Sequence, residues 1–211
     1  MIPNLQVALD NNTLSDAVKS ISALGNEVDI IEVGTILCLA EGMDSIRIMR
    51  ALYPEKTIIA DTKCADAGTT VAKNCADAGA DWMTVICSAT IPTMKAALKE
   101  VSELQVELYG DWTFDQAKEW KKIGINQVVY HQSRDALLEG DSWGEEDLAT
   151  IKKLIDMGFQ VSVTGGLELE NIQLFKDLDV FTFIAGRGIR EADNPVQSAR
   201  AFKKEINKIW G

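Results

Sequence analysis

Residues 57–86 read TIIADTKCADAGTTVAKNCADAGADWMTVI, and this stretch decides the fold. It opens on a short apolar run, 57–60, and closes on another, 82–86, with a helical segment between them that stops at Gly79. Both runs are apolar on two faces, as strands of a parallel sheet covered by helices must be. A glycine shortly before a strand is the residue expected at a helix C-terminal cap. Polar groups, Asp61 and Lys63, follow the first run at once.

The same unit recurs in both directions from this segment. Apolar runs at 5–9, 30–33, 105–108, 127–130, 160–163 and 181–185 predict further strands, and Gly25, Gly124 and Gly158 stand where Gly79 stands. In 13–24 the residues Leu14, Ala17, Val18, Ile21 and Leu24 form one apolar stripe at helical spacing. Near the C-terminus Asn194 suits a cap and Pro195 a first helical turn, ahead of a stripe of Val196, Ala199, Phe202, Ile206 and Ile209. Strands in strict alternation with helices predict an α/β chain folded as a (β/α)8 TIM barrel, with an open doubly wound sheet as the alternative. No linker divides residues 1–211, so one domain is expected. With 211 residues the chain is short for a fold that typically needs about 250, so loops must be tight. The exception is the polar stretch 132–144, which predicts a long functional or mobile loop.

A formal net charge of -11 argues against nucleic acid or an anionic membrane as a partner, and an anionic substrate then needs a local positive site. The N-terminal residues MIPNLQVALD lack a secretory pattern, and no apolar run approaches the roughly 20 residues that span a bilayer. Cys38, Cys64, Cys75 and Cys87 lack C-x-x-C or zinc spacing, so a reduced, cytoplasmic compartment and a packing role are expected.

In a (β/α)8 barrel the chemistry sits at the C-terminal ends of the strands. Those ends carry Asp10, Glu32, Asp61 with Lys63, Glu107, His131, Thr164 and Gly186. Surface charges have no reason to choose the same end of successive strands. Glu32 and Asp61 end neighbouring strands, and oxygen-only ligation from two carboxylates favours Mg2+ over Zn2+. His131 is the only histidine, which excludes a multi-histidine zinc site within the chain. The last strands end in Thr164-Gly165-Gly166 and Ala185-Gly186-Arg187-Gly188, glycine loops on the pair of strands that commonly binds phosphate in these barrels, with Arg187 adding a charge.

The run Asp61-Thr62-Lys63-Cys64-Ala65-Asp66 is D-x-K-x-x-D, and it resembles the signature of the orotidine 5′-monophosphate decarboxylase suprafamily. The segments LQVALD (5–10), VDIIEVGT (28–35), ADTKCADAG (60–68), ADWMTVIC (80–87), VELYGDWT (106–113), YHQSRDA (130–136), VSVTGGL (161–167) and FIAGRGI (183–189) are similar to the 3-keto-L-gulonate 6-phosphate decarboxylase family. This resemblance implies a homodimeric, Mg2+-dependent carboxy-lyase of L-ascorbate catabolism. It implies Glu32 and Asp61 as metal ligands, Lys63 at the reacting carbons and Asp66 reaching into the partner's site. It further implies Asp10 on substrate hydroxyls, and Glu107, His131 and Arg134 positioning the water that delivers a proton. Thr164, Gly166, Gly186 and Arg187 would line the phosphate end. The orotidine enzymes need no metal and resemble a Lys-Asp-Lys-Asp array with a Lys at the second strand end; Glu32 stands there instead and fits the metal-dependent branch. The nearest alternative is 3-hexulose-6-phosphate synthase, an aldolase, and an alternative of another class is a non-catalytic sugar-phosphate-binding protein. Gln132 is neutral where the family carries His or Arg and lends no support to proton delivery.

Overall fold

Strand and helix alternate as the repeated unit predicts. The computed structural model describes residues 1–140 and 142–211, and the backbone but not the side chain of Arg134. Its strands are β1 (Asn4–Leu9), β2 (Ile30–Val33), β3 (Thr57–Cys64), β4 (Trp82–Ile86), β5 (Glu103–Leu108), β6 (Gln127–His131), β7 (Gln160–Thr164) and β8 (Thr182–Ala185). They pair in parallel and in sequence order, and β1 pairs with β8, so the sheet is a closed barrel and the open-sheet alternative is excluded. The helices are α1 (Leu14–Leu24), α2 (Thr35–Glu41), α3 (Met43–Leu52), α4 (Gly68–Ala78), α5 (Ile91–Ala97), α6 (Phe114–Lys122), α7 (Arg134–Leu138), α8 (Glu145–Asp156), α9 (Arg187–Arg190) and α10 (Pro195–Trp210), with a 3-10 helix at Leu169–Phe175.

Local chemistry sets the helix ends. Thr13 accepts a hydrogen bond from the Asp16 N–H and Asn194 from the Gln197 N–H, each satisfying a donor that the first turn leaves free. Gly79 takes the left-handed conformation expected of a cap, φ 102°, whereas Gly25 has φ -56°. Gly25 is required for another reason: a Cβ there would overlap the Tyr53 ring.

Two corrections concern the sheet and the long loop. The strands were expected to be apolar on both faces. Their outward residues, such as Leu5, Val7, Ile31, Val106, Val161 and Phe183, are fully buried against the helices and form the main core. The inward face is largely polar. Gln6, Glu32, Asp61, Thr84, Gln105, Glu107, Gln127, Ser162 and Thr182 are all buried there, and among the described residues Ala8, Val129 and Ile184 form a small apolar cluster inside the barrel. Hydrogen bonds make part of this burial tolerable, as between Gln105 Nε2 and Gln127 Oε1 at 2.7 Å. The stretch 132–144 holds helix α7, started by Ser133 Oγ accepting the Ala136 N–H, so it is not one long loop.

The end of the barrel opposite the strand C-termini is held by Arg50, at the end of α3. Its guanidinium donates to the carbonyls of Gly79 (2.9 Å), Pro54 (2.9 Å) and Lys56 (2.9 Å) and pairs with Asp81, whose carboxylate also receives the Ile58 N–H at 2.8 Å. One cation thus ties the entrances of β3 and β4 together. Arg50→Ala is expected to lower unfolding free energy by about 2–4 kcal/mol, because several bonds to a charged donor go at once. Urea denaturation measures the loss, and turnover by the folded fraction should be unchanged. A loss below about 0.5 kcal/mol, the level of an ordinary surface substitution, would contradict this role.

Candidate active site

Register places the expected carboxylates on one inward surface. Ala8 of β1 pairs with Glu32 of β2, and Glu32 with Ile59 of β3, so Asp61 stands one inward position higher on the neighbouring strand. Glu32 is 7% exposed and Asp61 4%. Gln6 donates its side-chain N–H to Glu32.

Lys63 lies at the centre of the polar groups. Its Nζ meets Asp61 Oδ2 at 2.5 Å and Thr35 Oγ1 at 2.9 Å, and Glu107 Oε1 is 3.8 Å away. Glu107 Oε2 in turn lies 2.9 Å from His131 Nδ1. With Glu107 accepting the Nδ1 proton, the imidazole is oriented and its Nε2 is left for other chemistry. Tyr109 packs edge-on against the His131 ring at 5.3 Å. The Thr35 hydroxyl reaches Asp61 Oδ2 at 2.7 Å, and that of Thr84 reaches Asp61 Oδ1 at 2.7 Å.

The charges are unbalanced, and the pKa directions follow. Burial, then the like charges of Asp61 and Asp10, push the Glu32 carboxyl well above its ordinary 4.5. Burial also acts to raise Asp61, but the Lys63 ammonium and hydrogen bonds from Lys63, Thr35 and Thr84 outweigh it and hold Asp61 below its ordinary 3.8. For Lys63 desolvation acts downward, and the charges of Glu107 and Asp61 overcome it and hold the ammonium above 10.5. Lys63 is therefore a fixed positive charge at neutral pH and unsuited to act as a base. Its backbone is strained. Lys63 has φ 45° and Ala67 φ 54°, left-handed values that cost an L-residue roughly 1–2 kcal/mol each and that concentrate at functional sites.

Asp10 is partly exposed at the mouth, and Gly34 is the residue that admits it, since a Cβ there would overlap the Asp10 carboxylate. Asp66 is exposed beyond the end of β3. Arg134 opens α7, and its side chain lies outside the described residues. Gln132 turns away to Asp147 of α8 at 2.8 Å. At the other rim Thr164 Oγ1 donates to the Ile184 carbonyl at 3.2 Å, beside Gly165 and Gly166 with φ 105° and 58°. A Cβ on Gly165 would overlap Gln132, so that loop needs glycine for both its dihedral and its space. Gly186 precedes α9, and Arg187 is exposed. The structure thus brings Lys63, Glu107 and His131 into one chain of contacts with Asp61, and leaves the glycine rim on separate strands.

Sequence reasoning missed Gln6, Thr35, Thr84 and Arg190. The alternation of inward residues gives a signal for Gln6 and Thr84, which share the inward face with the charges of the neighbouring strands. Arg190 is nearly buried and donates from Nε to the Ala8 carbonyl at 3.1 Å, pinning α9 to β1. Nothing in the sequence separates it from a surface arginine. The thiols are packed as expected: burial pushes Cys38 and Cys75 up to about 12, which leaves them unreactive.

The residues fit a hard divalent cation. Asp10, Glu32, Asp61 and Glu107 face one ammonium, a negative excess expressed in the raised Glu32 pKa. Asp61 Oδ2 is occupied twice, by Lys63 and Thr35, whereas Oδ1 has one partner and keeps a lone pair. Among the described residues no group of three His, Cys, Asp or Glu side chains forms a metal cage. Two carboxylates would leave the rest of such a cation's shell to water or substrate oxygens.

A closed parallel barrel with a carboxylate-bound lysine on its third strand and glycine loops after its last two defines the chain as a (β/α)8 barrel with a charged site at the C-terminal ends of its strands. The profile of the Orotidine 5'-phosphate decarboxylase / HUMPS family matches residues 3–202, and the chain belongs to that family. It is 53% identical over 214 residues to 3-keto-L-gulonate-6-phosphate decarboxylase UlaD of Salmonella paratyphi B, covering 100% of this chain and 99% of the relative. A crystal structure of KGPDC from Streptococcus mutans is 61% identical with a TM-score of 0.99, covering 100% of both chains. 3-Hexulose-6-phosphate synthase from Salmonella typhimurium shares the fold at a TM-score of 0.90 but only 27% identity, covering 97% of this chain and 99% of that one.

Glu32 gives a test of the charge imbalance without substrate. Because its folded pKa is raised, its proton stabilises the metal-free fold below the ordinary carboxylate pKa, and that stabilisation is lost as pH rises through the raised value. Metal-free Glu32→Gln is therefore expected to melt higher than the parent at neutral pH, with the gap closing toward mildly acidic pH. Differential scanning calorimetry across that range measures it. A variant that melts lower at neutral pH would show that Glu32 is not repelled by its neighbours.

Proposed function

We propose that this chain is a carboxy-lyase that converts 3-keto-L-gulonate 6-phosphate to L-xylulose 5-phosphate and CO2 in L-ascorbate catabolism. The observation that carries this reading is the Lys63 ammonium set between the Asp61 and Glu107 carboxylates at the barrel mouth. Whole-length identity of 53% to a protein named for that reaction, against 27% and 30% to two aldolase structures, supports the choice within the family. Residues 1–211 are read as one catalytic domain, and the cytoplasm as its place of action. Among the described residues no helix is long and apolar enough to cross a membrane.

The chemistry follows from the substrate. In a β-keto acid the bond to the carboxylate breaks, CO2 leaves, and its electron pair becomes the enediolate. A proton must then reach the carbon that bore the carboxylate. Glu32 and Asp61 would hold Mg2+, which when bound supplies positive charge to oxygens that become negative in the reaction. Lys63 adds a second positive charge that needs no proton transfer to form. Asp10 orients substrate hydroxyls. His131, aligned by Glu107 and working with Arg134 through water, delivers the proton. Thr164, Gly166, Gly186 and Arg187 hold the phosphate, the local positive site that an acidic surface requires.

The working unit is proposed to be a homodimer in which Asp66 completes the partner's site. Asp66 is exposed at the mouth with no side-chain partner among the described residues. Leu39, on the helix that starts beside Asp61, is 83% exposed, and Leu52 47%, apolar surface suited to a second copy.

Release of CO2 from 3-keto-L-gulonate 6-phosphate should require Mg2+, stop with chelator and return on adding the metal. Lys63→Ala should lower kcat/KM by about a thousandfold or more. Aldol condensation of formaldehyde with D-ribulose 5-phosphate running more efficiently in a parallel assay would reverse the assignment, and ligand binding without either turnover would make the chain a sensor. Mixing Lys63→Ala and Asp66→Ala subunits should restore part of the activity, since one hybrid site is intact. No rescue in verified heterodimers would place the whole site within one chain.

A further inference from the structure

The pairing of β3 with β4 breaks at one place. Ile59 pairs with Trp82 and Ala60 with Met83, and the next pair is Cys64 with Val85. Between these, β3 runs through Asp61, Thr62 and Lys63 while β4 advances by Thr84 alone. β3 therefore bulges by two extra residues, and the left-handed Lys63 lies within the bulge.

Each residue of the bulge is bonded to Thr84. The Thr84 hydroxyl donates to Asp61 Oδ1 at 2.7 Å and accepts the Lys63 N–H at 2.9 Å, and the Thr84 carbonyl accepts the Thr62 hydroxyl at 3.2 Å. Thr84 is 2% exposed, so no solvent replaces these bonds. Its single hydroxyl proton is committed to Asp61, and its lone pair to Lys63. A hydroxyl is the group that can donate to the carboxylate and accept the amide from one atom. From the far end of the bulge, Lys63 returns its ammonium to Asp61 Oδ2.

We propose that Thr84 is a positioning residue: its hydroxyl holds the β3 bulge in shape and thereby aims the Lys63 ammonium and the Asp61 carboxylate at the reacting atoms. Thr84 touches no substrate and acts through those two residues. The position is buried and flanked by apolar neighbours, so a packing role is the competing explanation, and the two predict opposite orders of substitution. Thr84→Val keeps the shape and loses the hydroxyl. Thr84→Ser keeps the hydroxyl and loses the methyl. For the kinetic readout the proposal rests on the decarboxylation reading above; its structural readout does not.

Thr84→Val and Thr84→Ser are compared by steady-state kinetics on the Mg2+-loaded enzyme and by crystal structures of the metal-free proteins. Thr84→Val is expected to lose ten- to a hundredfold in kcat with KM changed less than threefold, and Thr84→Ser to recover most of that loss. In the crystals Lys63 keeps a positive φ in Thr84→Ser and leaves it in Thr84→Val. If Thr84→Val does not fold, Thr84→Ala takes its place with the same expectation. A valine variant as active as the parent, a serine variant worse than valine, or an unchanged bulge in the variant lacking the hydroxyl would each overturn the proposal. Absence of decarboxylation in the parent would defeat the functional reading while the crystals still decide the role of Thr84.

Discussion

The contact between Lys63 and Asp61 is the constraint on which the site depends. Both groups belong to one strand and are shielded from water, and each holds the other in its charged form. Burial acts against the charge of each. Their partners extend the effect: Glu107 and His131 on one side, Thr35 and Thr84 on the other. Glu32 and Asp10 receive no comparable compensation. The mouth therefore carries a negative excess that a bound cation would relieve.

Such a site is tolerated because stability resides elsewhere. The outward strand residues and the inner faces of the helices form the continuous apolar core, and Arg50 with Asp81 secures the opposite end of the barrel. The inward face is then free to be polar. Strain at Lys63 and Ala67 is confined to the segment where β3 leaves the barrel, so the cost falls where function requires an unusual backbone.

The fold was legible in the sequence because its signal repeats. Apolar runs, helical stripes and glycines at Gly79, Gly124 and Gly158 all mark the same unit, and register then follows from barrel closure. The polar interior was less legible: Gln105 and Gln127 begin runs that read as apolar, and only the inward alternation of a closed barrel explains them. Of the site, the charged residues at strand ends could be listed from the sequence together with the D-x-K-x-x-D resemblance. The contacts among them could not. The pairing of Glu107 with His131 depends on the register of β5 against β6, and the service of Thr84 to three residues of β3 depends on a bulge that leaves no mark in composition. Gly25 is a mixed case: it does cap α1, its N–H bonded to the Ile21 carbonyl, but in the right-handed conformation, and its missing Cβ makes room for Tyr53.

Charge balance at the mouth has an expected consequence: burial and like charge raise the Glu32 pKa, so a divalent cation entering beside it should displace a proton. Titration calorimetry with Mg2+ alone, at mildly acidic pH and in buffers of different ionisation enthalpy, measures this directly. Net proton release is expected from the parent protein and none from Glu32→Gln. Tight Mg2+ binding with no proton release, or the same release in both proteins, would contradict it.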